Sequence, residues 1–469
     1  MIRVVVVGAG ISGLAAAFAL QQRAAAAGLN IDLQIFEKED RTGGKILSIK
    51  EDGFLCEWGP NGFLDNKPMT LELCDTLGIR DRLLRSDDNA RKRFIYSEKL
   101  LHRLPEGGPS FLASKLISWP GKMRLACEPF IPAKRDDEDE TLADFGRRRL
   151  GAEALDKLIA PMVSGIFAGD PETMSLRSCF PRIHELEMEY GGLIKAMMML
   201  AKKKKAERKA GKAVASAAGP GGVLTSFIGG IQELTNEAQC ALGDKVRTGA
   251  AVNGILPKKD GFEVHLADGS MIDADIVISA APAFALSSML NESLPPVAEL
   301  LNGIPYSPLF VVCFGYERDK IARDLDGFGY LIPKKEGCNT LGTLWDSSIF
   351  PNRAPAGKVL LRSMIGGAAN PGVINLPESE IQTRVMADLK QIMGIDAAPD
   401  FVRIFRHERA IPQYRAGHAA RLVALDEQLQ RKPGLFLTGN AFFGVGLNDC
   451  VNAANRVAEQ ALDFIRARS

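Results

Sequence analysis

Residues 2–45 read Ile2-Arg3-Val4-Val5-Val6-Val7, then Gly8-Ala9-Gly10-Ile11-Ser12-Gly13, then Leu14 to Ala27, Gly28, Asp32-Leu33-Gln34-Ile35-Phe36-Glu37 and Arg41-Thr42-Gly43-Gly44-Lys45. The β-branched run before Gly8 suits a buried parallel strand. The glycines fit G-x-G-x-x-G, and the Ala-rich stretch after them predicts a helix closed by Gly28. A second strand ends on Glu37. Strand, glycine turn, helix, strand and acid together predict a dinucleotide site. Gly8 turns the chain sharply, Gly10 lets backbone approach a pyrophosphate, and Gly13 lets the helix lie close to the sheet. The helix N-terminus would face phosphate, and Glu37 would accept from a ribose diol.

The element Arg41-Thr42-Gly43-Gly44-Lys45 resembles the R-x-G-G-[RK] segment of the flavin-binding amine-oxidase superfamily. That resemblance implies FAD rather than NAD, with contacts from Gly8, Ala9, Gly10, Ile11, Ser12, Gly13, Glu37, Lys38, Arg41, Gly43, Gly44 and Lys45. It also implies that Gly59-Pro60-Asn61-Gly62 brings backbone near the isoalloxazine. The bland reading of that tetrapeptide is a plain turn.

The chain has 469 residues, long enough for two or three domains, and is 46% hydrophobic and 25% charged. A net charge of +1 gives no global field for nucleic acid. Eight scattered cysteines without C-x-x-C and five isolated histidines point to no metal site and to a reducing, cytoplasmic setting. The first strand begins at residue 2, which leaves no room for a leader, and no apolar run reaches the ~18 residues of a membrane span.

Met69 to Leu84 reads as an amphipathic helix. Beyond it, Arg93-Phe94-Ile95-Tyr96 and Leu104-Pro105, and then the run from Ile159 to Glu172, resemble the oxygen-dependent porphyrinogen oxidases. The resemblance implies that Arg93 pairs with a substrate propionate, a task for which a guanidinium fork is suited. It also implies that Gly165 lays bare backbone over a macrocycle. In the same way Phe328, Leu331, Leu344 and Met364 match positions that sandwich a tetrapyrrole, although each would serve equally as sheet core.

The apolar stretch Phe111 to Pro120, with Phe130 beyond, suits peripheral seating on a membrane, protein core, or a homodimer contact. Lys202 to Lys212 reads as a basic helix end, and 213–222 as a flexible linker. Val252 matches a position whose backbone meets the adenine end of FAD. No second glycine fingerprint follows, so no NADPH domain is expected. Near the C-terminus, Gly439, Asn440, Val445, Gly446 and Leu447 would bring a helix N-terminus to the flavin.

The expected architecture is α/β and α+β. It comprises a Rossmann-like FAD-binding domain of the amine-oxidase type (1–85, 223–300 and 415–469), a mainly helical domain (86–212) and a mixed-sheet substrate domain (301–414). The resemblance implies a six-electron oxidation of protoporphyrinogen IX to protoporphyrin IX, with hydride passing to FAD and molecular oxygen reduced to hydrogen peroxide. Coproporphyrinogen III is the alternative substrate, and hand-over of product to a ferrochelatase is expected. Residues 400–440 hold no cysteine, so FAD is expected to be non-covalent. The rivals are an amine oxidase or carotenoid desaturase, and a non-catalytic binding protein on the same fold. No residue is assigned a catalytic acid–base role, since the flavin would carry the redox step.

Overall fold

The computed structural model describes residues 1–136, 138–209 and 222–468. The apolar run forms a strand, Ile2–Val7, and the helix spans Ile11–Ala26. The strand Ile31–Phe36 pairs with it in parallel, from Ile2 opposite Ile31 to Val7 opposite Phe36. Two later strands, Ile276–Ser279 and Leu435–Leu437, extend this sheet in parallel on the other side, and Val246–Arg247 closes the far edge. The β-branched side chains fill both faces, as a sheet covered on each side requires. The last helix, Leu447–Arg466, packs along the first through Val451, Ala454 and Ala458. Small residues at those positions let the two helices approach.

A seven-stranded mixed sheet forms the second unit, in the order 401–412, 306–317, 358–366, 340–344, 329–331, 93–97 and 100–103. Only 329–331 and 93–97 run parallel there. Strand alternation divides its side chains. Phe310, Val312, Phe314, Tyr330, Leu361 and Ile365 face the helix Glu378–Met393, which buries Ile381, Val385 and Leu389 against them. The opposite face carries Arg93, Leu331, Leu344, Arg362, Met364 and His407, as the register shows. That face looks toward the first unit and toward the helix Ala160–Phe167.

Two expectations need correction. Met69 to Leu84 is not one helix: the helix is Pro68–Thr76, and a short strand, Leu83–Arg85, pairs with Leu224–Phe227. Gly78 takes φ +70° and reverses the chain, which hydrophobic spacing alone does not reveal. The helical unit also does not begin at residue 86, because 93–97 and 100–103 complete the seven-stranded sheet. The helices run from Gly108 to Lys209. Most of the expected linker, 213–221, lies outside the described residues.

In the stretch expected to be core, dimer contact or membrane seat, Leu116 and Ile117 are buried, but Trp119 is 67% and Phe130 86% exposed. The core reading therefore fails for those two. Among the described residues no helix is long and apolar enough to cross a membrane.

Candidate functional site

The glycine turn is built by close approach. Gly8 stands at φ +95°, and its N–H donates to Phe36 O at 2.7 Å. A Cβ on Gly13 would lie 1.9 Å from Gly8 O, so only glycine lets the helix start this near the strand. Gly43 N donates to Ala9 O at 2.8 Å, and a Cβ on Gly44 would meet Gly10 Cα at 3.2 Å. The two glycine segments thus lie side by side as bare backbone. Glu37 is buried, and it accepts from Ala9 N at 2.8 Å and Glu39 N at 3.0 Å. No side chain caps the helix at Gly10, and its first turn holds no acid, so its positive end is unneutralised from within. An anionic diphosphate fits this cradle, and the residues present suit a dinucleotide.

Several expected contacts take other partners. The Arg41 guanidinium donates to Thr42 O, Gly44 O and Ile46 O and lies 4.9 Å over the Trp58 ring. It shapes the glycine loop from behind. Lys38 pairs with Glu39 in solvent at 2.9 Å. Lys45 Nζ donates to the carbonyls of Arg409 and Ala410, and burial pulls its ammonium down to about 8, still mostly charged at neutral pH. Ser12 is buried in the helix beside Gly13, and Val252 is buried at the start of its strand.

The segment Gly59–Gly62 is pinned on both sides. A Cβ on Gly59 would sit 2.2 Å from Lys45 O, and one on Gly62 would sit 2.4 Å from Thr225 O. From the sheet, Arg362 Nη1 donates to Glu57 O and Gly59 O. Trp58 stacks on His407 with centroids 4.7 Å apart, and His407 Nε2 lies 3.0 Å from Trp58 O. Burial pushes His407 down to about 4, so the ring is neutral at pH 7. At the C-terminal side, the Tyr414 hydroxyl donates to Asn440 O and accepts from Gly444 N at 3.0 Å. This holds the loop from Gly439 to Gly446, which caps the last helix with backbone only. Val445 packs beside Tyr414, and Leu447 joins the core of the first unit.

The residues expected to meet substrate converge on one sheet face. Arg93 lies opposite Gly329, which lies opposite Leu344, while Leu331 is opposite Gly342, which is opposite Met364. The Arg93 guanidinium sits 5.4 Å over the Phe328 ring. Its neighbours Arg91 and Lys92 pair with Asp88 and Asp326, whereas Arg93 pairs with no carboxylate among the described residues. Phe328, Leu331, Leu344 and Met364 are half-buried. Gly165 meets this strip directly, since a Cβ there would be 2.8 Å from a Leu331 methyl. Its helix is docked by Ala368 N donating to Ala168 O at 2.7 Å, at the end of the strand that carries Met364. The face therefore offers a half-open apolar strip with one unpaired guanidinium at its edge.

Sequence reasoning missed Arg362 and Asp346. No local motif surrounds them, and the carbonyls and amide they hold, at Glu57, Gly59 and Asn61, are remote in the chain.

The family model for flavin containing amine oxidoreductase matches residues 11–462, and the chain belongs to that family. It is an FAD-dependent oxidoreductase. It is 32% identical to Coproporphyrinogen III oxidase of Bacillus subtilis (strain 168), with 98% of each chain covered. It is also 32% identical to Protoporphyrinogen oxidase, chloroplastic, of Nicotiana tabacum, over 98% of this chain and 85% of that one. A crystal structure from Exiguobacterium sp. 255-15 matches all of this chain and 99% of its own, with TM-score 0.82 and 25% identity. Cyclohexylamine Oxidase from Brevibacterium oxydans IH-35A, at 17% identity and TM-score 0.71 over 99% of each chain, shares the fold.

Proposed function

We propose that this chain oxidises a porphyrinogen to a porphyrin, with protoporphyrinogen IX as the first reading. Bound FAD supplies the two-electron redox chemistry, repeated three times for the six electrons removed. Three molecules of oxygen would accept them as three of hydrogen peroxide. The observation that carries the reading is the unpaired Arg93 guanidinium over Phe328, at the edge of the strip Leu331–Leu344–Met364. A flat apolar macrocycle with a propionate at its rim matches that arrangement. The carboxylate would take the free fork in two parallel hydrogen bonds. The half-buried aliphatic side chains would cover the ring and exclude water, and Gly165 adds backbone without a Cβ.

FAD would be held non-covalently by the bare backbone of Gly8–Gly13 and Gly43–Gly44, by Glu37 at the ribose and by the helix end at Gly446. Coproporphyrinogen III is the second reading. It is favoured by the Bacillus subtilis relative, which matches end to end. The exposed Trp119 and Phe130 would suit peripheral contact with a membrane or a second copy.

The test is oxygen-dependent turnover of both porphyrinogens, followed by porphyrin fluorescence on purified protein. The protein should be yellow, and acid precipitation should release the colour to the supernatant. A yellow protein that leaves both porphyrinogens unoxidised would refute the substrate. Porphyrin appearing only from coproporphyrinogen III would establish the second reading.

A further inference from the structure

Under the turn Gly59–Gly62 lie four charged side chains taken out of water. Glu57, Asp346 and Arg353 are 0% exposed, and Arg362 is 3%. Glu57 pairs with Arg353 at 3.0 Å and accepts from Ser48 Oγ at 2.6 Å and Ile231 N at 3.0 Å. Arg362 Nε pairs with Asp346 at 2.9 Å, and Asp346 also accepts from Asn61 Nδ2 at 3.3 Å. Arg362 Nη1 then donates to Glu57 O at 3.2 Å and Gly59 O at 3.0 Å. The side-chain contacts of Arg362 and Asp346 thus run to each other and to residues 57–61.

A quartet of buried charges is a poor way to gain stability. Desolvation of each ion offsets most of the Coulomb attraction, and apolar side chains of similar volume usually do as well. What such groups add is direction. The guanidinium is a planar fork; here its Nη1 meets two carbonyls that flank Trp58, while Asp346 stands beside Nε in ion-pair contact without a hydrogen bond. The same strand places Met364 two residues on, on the same face, about 7 Å away. One strand therefore presents a side chain to the apolar strip and a fork to the turn. From the other side, Lys45 O stands where a Gly59 Cβ would be, so the turn has no room to retreat.

We propose that Arg362, oriented by Asp346, is a positioning residue that holds the Glu57–Asn61 backbone in place for the flavin and couples it to the strand bearing Met364. This rests on the reading that Gly59–Gly62 faces FAD. The role is positional, and no proton or electron passes through Arg362.

The test uses Arg362→Lys in the full chain. The ammonium keeps a positive charge near Asp346, but it lacks the fork that carries Nη1 to both carbonyls while Nε stays beside the carboxylate. The melting temperature of the FAD-stripped protein should stay near the parent value. The dissociation constant for FAD should rise about tenfold or more, and the visible bands of the bound flavin should shift. A second variant, Arg362→Met with Asp346→Leu, removes both charges together, so no lone ion is left buried, and it should show the same two changes. Retention of FAD affinity within about twofold, with the parent spectrum, in whichever variant folds would overturn the role. In the parent holoprotein the amides of Trp58, Gly59, Asn61 and Gly62 should exchange slowly with solvent, and exchange at exposed-loop rates would also overturn it. A parent chain that takes up no FAD would refute the proposed function itself.

Discussion

Arg93 differs from the two basic residues just before it by what it lacks. Arg91 and Lys92 meet acids, so their charge is already answered. Arg93 lies on an aromatic ring and faces no anion among the described residues. A charge-assisted bidentate contact is worth roughly 1.5–3 kcal/mol, so Arg93→Ala should raise KM for the porphyrinogen about 10–100-fold with kcat little changed. FAD should stay bound, because Arg93 is remote from the glycine turn in the fold. Arg93→Lys should fall between the two, since an ammonium makes a point contact. Steady-state kinetics with an absorbance check for flavin would decide it, and an unaltered KM in Arg93→Ala would remove this residue from the site.

At the scale of elements, the first helix illustrates a conflict between propensity and packing. Ala is favoured over Gly inside a helix by about 1 kcal/mol, so Gly13→Ala would be stabilising by propensity alone. The structure reverses the sign: the new methyl would lie 1.9 Å from Gly8 O, which is backbone and cannot move aside. Overpacking of this kind costs roughly 1–3 kcal/mol, and here it would push the helix N-terminus off the sheet. Gly13→Ala should melt lower than the parent and emerge with less bound flavin, read from the visible absorbance per protein. This element was legible in sequence because its determinants are contiguous. The helix expected over Met69 to Leu84 was not, because apolar spacing runs on past Gly78, where the backbone turns.

Across the whole molecule, two neutral histidines sit where units meet. His407 stacks on Trp58, joining the seven-stranded sheet to the segment before Gly59. His418 stacks on Tyr414 with centroids 4.3 Å apart, and its Nε2 has no hydrogen-bond partner among the described residues. Burial lowers both to about 4, against 6.5 for a free imidazole. The unfolded chain therefore binds more protons than the folded one between those values. The stability these rings contribute is fully present above pH 6.5 and is lost as pH falls toward 4, by up to about 3 kcal/mol for each ring. A series of melting temperatures from pH 7 to pH 4 should show this decline, and His418→Phe should flatten it by keeping the stack without a titrating group. An equally steep decline in His418→Phe would show that this ring does not carry its share.

The nucleotide-binding half was written in the chain as adjacent signals, because strand, turn, helix and acid follow one another within 36 residues, from Ile2 to Glu37. The same holds for the type of each apolar residue on the strip, since strand periodicity is local. Only the tertiary structure decided which of these residues meet. It set Arg93 beside Gly329 and Leu331 against Gly165, and it brought Arg362 to the carbonyls of Glu57 and Gly59. The reason is that pairing between distant strands is selected by the packing of the finished core, and no short stretch of sequence carries that information.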